Sequence, residues 1–320
     1  MKNFGLLGAA GFVAPRHMRA IRETGNNLVV ALDPHDSVGI LDEYFPDAAF
    51  FTETELFSRF VGGMQQKAKN DDERIHFISI CTPNYLHDSH IYMALNLGAN
   101  AICEKPLTTD SKNLDKLIEL ELKTGYKIYT LLQLRLHPSL LALKQRIEKS
   151  NDQRTNVVLT YITRRGKWYQ ASWKGSAHKS GGLAMNIGIH FFDVLIWLFG
   201  NVEQNILQLS QADKMAGVLR LEKATICWYL SIDQRDLPTS YLESGKYSFR
   251  HMSINGDEVD FSEGFTSLHT MVYRDIMLGR GLGVQDARPS LEVVQGLNCS
   301  EVSPIGDIAH PYLTASAKTK

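Results

Sequence analysis

Cysteine is scarce: the 320-residue chain has Cys81, Cys103, Cys227 and Cys299, and no two of them stand in a CxxC spacing. That leaves no disulfide framework and no thiolate metal finger on which to build the fold. Cys81 and Cys103 end apolar runs and are expected to be buried and reduced. An excess of charge is also missing. Thirty-four Lys and Arg against 35 Asp and Glu leave a net charge of −1, which offers no surface for nucleic acid and no polybasic contact for a membrane. There is no low-complexity tract and no repeat at a solenoid period. The apolar run Phe4–Leu7 breaks into glycine too early to read as a signal peptide. One stretch, Leu183–Gly200, is long and apolar enough to question, but it carries Asn186, His190 and Asp193, which a bilayer penalises. A buried amphipathic helix in a soluble, cytoplasmic protein is the expectation, with no membrane contact.

What is present is an ordinary globular composition, 44% hydrophobic and 22% charged, in a chain long enough for two domains. Up to residue 135, short apolar runs at Phe4–Leu7, Leu28–Leu32, Ala49–Phe51, Phe77–Ile80, Ala101–Cys103 and Ile128–Leu132 alternate with helical patterns. The clearest helices are His87–Leu97 and Asp110–Lys123, the second with Thr108-Thr109-Asp110 as its expected N-cap and Gly125 as its stop. Apolar strands separated by helices predict an α/β domain, a doubly wound parallel sheet of Rossmann type over residues 1–135. Beyond the helix Leu140–Lys149 and the polar Asn151-Asp152-Gln153, the runs at Val157–Arg165, Glu203–Leu209, Val218–Leu221, Ala224–Ile232 and Tyr247–Ile254 alternate as antiparallel strands do. Asn255-Gly256 marks a hairpin. Residues 136–320 are therefore expected to form an α+β domain with an open, mostly antiparallel sheet.

The first strand runs into Gly8-Ala9-Ala10-Gly11-Phe12-Val13-Ala14, a GxxGxxA loop. Gly8 allows a tight turn, Gly11 lets backbone approach a pyrophosphate, and the small Ala14 permits close helix–strand packing. The second strand ends in Asp33, 25 residues beyond Gly8, where a carboxylate accepts bonds from the adenosine ribose. No Arg or Lys follows in Pro34-His35-Asp36-Ser37 to offset its repulsion of a 2′-phosphate, so NAD is expected rather than NADP. Ligands of open parallel sheets lie at the carboxyl ends of the strands. This adds Thr82, Pro83, Asn84 and His87 after the fourth strand, Glu104 and Lys105 after the fifth, and Gln133 after the sixth. In the second domain, Asn186, His190 and Asp193 fall on one helical face, a polar stripe that is costly unless it meets a site or a satisfied network. No metal is expected.

Glu104-Lys105-Pro106 followed by Gly181-Gly182…Asn186-x-Gly188-x-His190-x-x-Asp193 resembles the Gfo/Idh/MocA oxidoreductases over nearly the whole chain, although Asn186 stands where the family commonly has Asp. GAAGFVAPRHMRAI from Gly8, Tyr161–Gly175 and Gly264–Tyr273 are similar to the WlbA/WbpB group. That resemblance implies oxidation of the C3 hydroxyl of UDP-N-acetyl-glucosaminuronic acid by NAD, with 2-oxoglutarate reoxidising bound NADH. It also implies a homotetramer serving surface polysaccharides such as lipopolysaccharide O-antigen. Arg164, Arg165, Trp168, Tyr169 and Lys174 would then meet the UDP-sugar acid or 2-oxoglutarate, with Lys105, His190 and Asn186 catalytic. His190 is the preferred base and Lys105 the group that bonds the substrate oxygen, but the two roles are exchangeable. The other readings are a free-sugar or inositol dehydrogenase and a non-catalytic NAD-responsive regulator of the same fold.

Overall fold

The computed structural model describes residues 1–149, 154–261 and 264–317, so the Asn151–Gln153 stretch lies outside the described residues. The chain forms two compact units, Met1–Gln133 with Thr266–Arg288, and Leu134–Phe265 with Pro289–Lys320. This corrects the expected single cut after residue 135. The helix Leu268–Met277 buries Leu268, Val272, Tyr273 and Ile276 and packs on the helix Ala14–Glu23, which draws the late segment back into the first unit.

In the first unit, β1 (Asn3–Leu7), β2 (Asn27–Leu32), β3 (Ala49–Phe51), β4 (Ile75–Ile80), β5 (Asn100–Cys103) and β6 (Ile128–Thr130) form one sheet in the order β3-β2-β1-β4-β5-β6. Every pairing is parallel. Strand β1 is buried along its whole length, as a strand covered on both faces must be. The order reverses between β1 and β4, so their carboxyl ends flank a topological switch point. The helix expected from Asp110 is regular from Asn113, and Lys112 just before it gives no side-chain cap. Asp110 instead folds the preceding turn: its carboxylate accepts the Lys112 N–H at 3.0 Å, and its own N–H donates to the Thr108 hydroxyl at 3.2 Å. Gly125 ends that helix at φ 76°, as expected.

The second unit is a six-stranded sheet of β7 (Thr155–Thr163), β8 (Val202–Ser210), β9 (Lys214–Leu221), β10 (Ala224–Ser231), β11 (Ser248–Ile254) and β12 (Asp257–Glu258), in the order β12-β11-β7-β10-β9-β8. Only β7 and β10 pair in parallel. Asn255 at φ 51° and Gly256 at φ 94° make the β11–β12 turn, the left-handed pair that a two-residue hairpin requires. The apolar run Ala177–Phe199 is 78% buried over its most hydropathic window, which accounts for its composition without a bilayer. It is not one continuous α-helix. A π-helical turn, Ala184–Gly188, precedes the α-helix Ile189–Phe199. Gly188 is the point of close approach to β10, since a Cβ there would stand 2.5 Å from Leu230 Cδ1. The wide turn accommodates this contact and takes Asn186 out of strict helical register with His190.

Candidate active site

The phosphate loop is built by mutual hydrogen bonding of three strand ends. Gly8 N–H donates to the Leu32 carbonyl at 2.8 Å, while Asp33, buried at the end of β2, accepts the Ala10 N–H at 2.9 Å and the His35 N–H at 2.9 Å. Each carboxylate oxygen keeps lone-pair capacity for a further donor such as a ribose hydroxyl. Gly8 has φ 89°, and a Cβ on it would lie 2.9 Å from the Cys81 carbonyl carbon and oxygen and the Thr82 nitrogen. A Cβ on Gly11 would approach the Gly8 carbonyl oxygen to 3.0 Å. The cradle is therefore backbone lined by backbone, the form that suits a pyrophosphate. Phe12 projects from it 84% exposed, with the Arg16 guanidinium 5.7 Å from its ring centre. Val13 is half-buried at the start of the following helix. At the end of β6, Gln133 Oε1 is buried with no hydrogen-bond partner among the described residues, a free acceptor for a bound group. These features fit a dinucleotide.

Two residues expected at the cofactor have side chains held by protein groups. His87 is buried, its Nδ1 2.6 Å from the Pro106 carbonyl oxygen and its Nε2 2.7 Å from that of Thr82. Its ring ties the turn after β5 to the turn after β4, which leaves neither nitrogen for a ligand. Burial pulls its imidazole below the ordinary histidine value, against the opposing effect of the two carbonyls. Glu104 also turns inward: its Oε1 lies 3.2 Å from His17 Nε2 and 3.0 Å from His269 Nε2. Thr82 Oγ1 is hydrogen-bonded to His90 at 2.9 Å, Asn84 is buried, and Pro83 and Lys105 are half-buried.

In the second unit, Tyr169, Asn186, Arg165, Lys174 and two tryptophans come together. The Asn186 amide donates to the Tyr169 hydroxyl at 2.6 Å. Lys174 Nζ lies 5.4 Å from the Trp168 ring centre and 5.6 Å from that of Trp173, in cation–π range of both. Burial lowers the Lys174 ammonium's pKa, and the positive charge of Arg165 lowers it further. Arg165 Nε is itself buried with no hydrogen-bond partner among the described residues. Two cations held together with donor capacity to spare, against aromatic faces, have the chemistry to receive an anion. Arg164 is exposed and not drawn into this group, and Trp168 remains 53% exposed. His190 is half-buried one residue into its helix. Asp193 does not extend the polar stripe towards a ligand, because Arg135 grips it with two bonds, at 3.0 and 2.6 Å.

Sequence reasoning missed His17, Tyr273 and His269 as a group, and also Trp173. The signal for His17 was its place among Ala14, Met18 and Ile21 on the buried face of its helix, where a polar ring must find a partner.

Comparison with known proteins agrees with the division of the chain. Residues 2–131 match the oxidoreductase family's NAD-binding Rossmann fold, and residues 155–278 its C-terminal alpha/beta domain. A WlbA (WbpB) dehydrogenase from Thermus thermophilus, solved with NAD and alpha-ketoglutarate, is 46% identical, with TM-score 0.93 over 98% of this chain and 100% of that one. The same dehydrogenase was solved with NAD and UDP-GlcNAcA, at 45% identity and TM-score 0.93. The Bordetella pertussis WlbA dehydrogenase, 19% identical at TM-score 0.74 over 93% of this chain and 95% of that one, shares the fold. Among curated relatives, the 2,7-anhydro-N-acetylneuraminate hydratase of Mediterraneibacter gnavus is 25% identical over 207 residues, 63% of this chain. The chain spans about half the length of the first curated relatives it matches, 50% of that hydratase for instance. With both domains matched in order and the phosphate cradle in place, the chain belongs to the Gfo/Idh/MocA family of NAD-binding oxidoreductases.

Proposed function

We propose that this protein oxidises the C3 hydroxyl of UDP-N-acetyl-glucosaminuronic acid to the 3-keto sugar with NAD, and that 2-oxoglutarate then reoxidises the bound NADH. The observation that carries the reading is the Arg165–Lys174 pair between aromatic rings, because both substrates are anionic and a free sugar or inositol would leave these cations without a partner. The likeness to the Thermus thermophilus dehydrogenase, solved with NAD and with either UDP-GlcNAcA or alpha-ketoglutarate, supports the same choice.

NAD, when bound, supplies the hydride acceptor. The Gly8–Gly11 backbone and Asp33 hold it, with Gln133 Oε1 open to a donor. Asp33 excludes a 2′-phosphate by charge. His190 takes the hydroxyl proton, Lys105 bonds the same oxygen and stabilises its developing negative charge, and Asn186, braced by Tyr169, orients the sugar. The Lys105 and His190 roles exchange without altering the proton balance. A homotetramer acting in the cytoplasm on the way to lipopolysaccharide O-antigen completes the proposal.

Mixing the protein with UDP-N-acetyl-glucosaminuronic acid and NAD, with and without 2-oxoglutarate, tests it. Formation of 3-keto sugar together with 2-hydroxyglutarate is the expected outcome. Absence of both products in every mixture removes the substrate assignment. In the same assay, His190→Asn and Lys105→Ala should each cut turnover at least about a hundredfold while leaving NAD affinity nearly intact.

A further inference from the structure

Glu104 has no part in the chemistry above, yet it is among the most elaborately held side chains in the first unit. Its carboxylate is buried, and a single oxygen, Oε1, receives both His17 Nε2 and His269 Nε2. An ionised carboxylate only accepts, so each imidazole must present N–H at Nε2. His17 Nδ1 is then an acceptor, and the Tyr273 hydroxyl 2.7 Å away donates to it. Ser79 Oγ lies 2.6 Å from that hydroxyl and completes the chain. Every donor has an acceptor along Ser79–Tyr273–His17–Glu104–His269, which joins β4, the helix after the phosphate loop, the end of β5 and the helix Leu268–Met277. The ligand atoms of His17, Glu104 and His269 lie within 4.8 Å of one another, a spacing that the hydrogen bonds account for by themselves.

The charge states agree with this pattern. Burial pushes the Glu104 carboxyl up, but the hydrogen bonds from His17 and His269 outweigh it and hold the group well below the usual carboxylate range. Burial lowers His17, leaving it a neutral donor. A negative charge is thus fixed one residue before Lys105. The groups facing it are His17, His269 and Tyr273 from the two helices, Cys81 and His87 from the β4 side, and Cys103 on its own strand, with Lys105 next in the chain. His87 senses both Glu104 and Lys105, and it bridges the turn that carries Lys105 to the turn after β4.

We propose that Glu104 is the positioning residue for Lys105: clamped by His17 and His269, its carboxylate anchors the end of β5 and sets a fixed negative charge beside the Lys105 ammonium. The inference rests on the role given to Lys105 above. It goes further in assigning the buried five-residue chain to the tuning of that one amine.

Glu104→Gln is the decisive variant, because an amide oxygen still accepts both imidazole N–H groups while the charge is gone. In the NAD-loaded protein, Lys105 is acylated with an amine reagent across a range of pH and the modified peptide is quantified by mass spectrometry. The labelling midpoint in E104Q is expected to fall by about one pH unit relative to wild type, since an ammonium that loses an anionic neighbour gives up its proton more readily. An unchanged midpoint overturns the proposal, whatever happens to turnover. E104D keeps the charge but is one methylene short of both imidazoles. It is expected to hold the wild-type midpoint and lower kcat about tenfold with little change in KM, and a wild-type kcat in E104D overturns the positioning. Full turnover in Lys105→Ala would instead remove Lys105 from the reaction and leave the labelling result standing, so the two failures are distinguishable.

Discussion

The two units treat buried charge in opposite ways. In the first, the Glu104 carboxylate is supplied with donors from two helices, and nothing about it asks for a ligand. In the second, the charge that bears on Lys174 is another cation, and Arg165 Nε is left without a partner among the described residues. Evolution has no reason to keep two cations crowded together for stability, since their repulsion and desolvation both cost free energy. A completed polar network holds geometry, whereas an incomplete one of a single sign awaits a counter-charge. Arg135–Asp193 shows that the second unit also builds complete pairs where structure alone is at stake.

That contrast is broken most severely at Arg135. Arg135→Ala would take from the buried Asp193 carboxylate the guanidinium that grips it with two bonds, at a cost of about 3–5 kcal/mol, read as a lower denaturant midpoint. Residual enzyme at low temperature should keep its NAD affinity; a variant as stable as wild type would show that Asp193 is not a structural anion. Next in size is Gly8→Val in the first unit. A side chain there meets the Cys81 and Thr82 backbone at a positive φ, so NAD affinity by calorimetry should fall at least about a hundredfold. Arg165→Ala should raise KM for both anionic substrates about ten- to a hundredfold, with NAD affinity unchanged. Equal losses for NAD and for substrate would contradict the assignment of the cation pair to substrate.

How much of this was legible depended on whether function followed the chain or crossed it. The parallel sheet, the glycine cradle and Asp33 are local signals: a strand, a tight turn and a strand-end acid are each read from a few neighbouring residues. The Asn255-Gly256 hairpin was legible for the same reason. His17, Glu104, His269 and Tyr273 span more than half the chain, and nothing in the spacing announces that the helix Leu268–Met277 returns to the first unit. The π turn at Ala184–Gly188 was illegible because Gly188 answers to Leu230 on a distant strand and not to helical propensity. His87 and Asp193 stayed ambiguous for a related reason. A polar side chain at a strand end or on an apolar helix needs a partner, but sequence does not say whether that partner is protein or ligand.

The smallest expected effect is also the sharpest test of the cation pair. Lys174 is lowered by burial and by Arg165, so its ammonium is lost at a lower pH than that of an ordinary lysine. Binding of an anionic substrate uses the charged form, which is fully present below the lowered value and disappears as pH rises through it. KM for 2-oxoglutarate should therefore climb on the alkaline side before solvent-exposed lysines begin to titrate, while NAD affinity stays level over that interval. Lys174→Arg removes the titration, because a guanidinium stays protonated throughout. Its KM should be within about threefold of wild type at neutral pH and flat on the alkaline side. If the climb persists in Lys174→Arg, the titrating group lies elsewhere and Lys174 is not the anion's partner; if it disappears, the crowding of two positive charges in the second unit is established as a ligand site by its dependence on one proton.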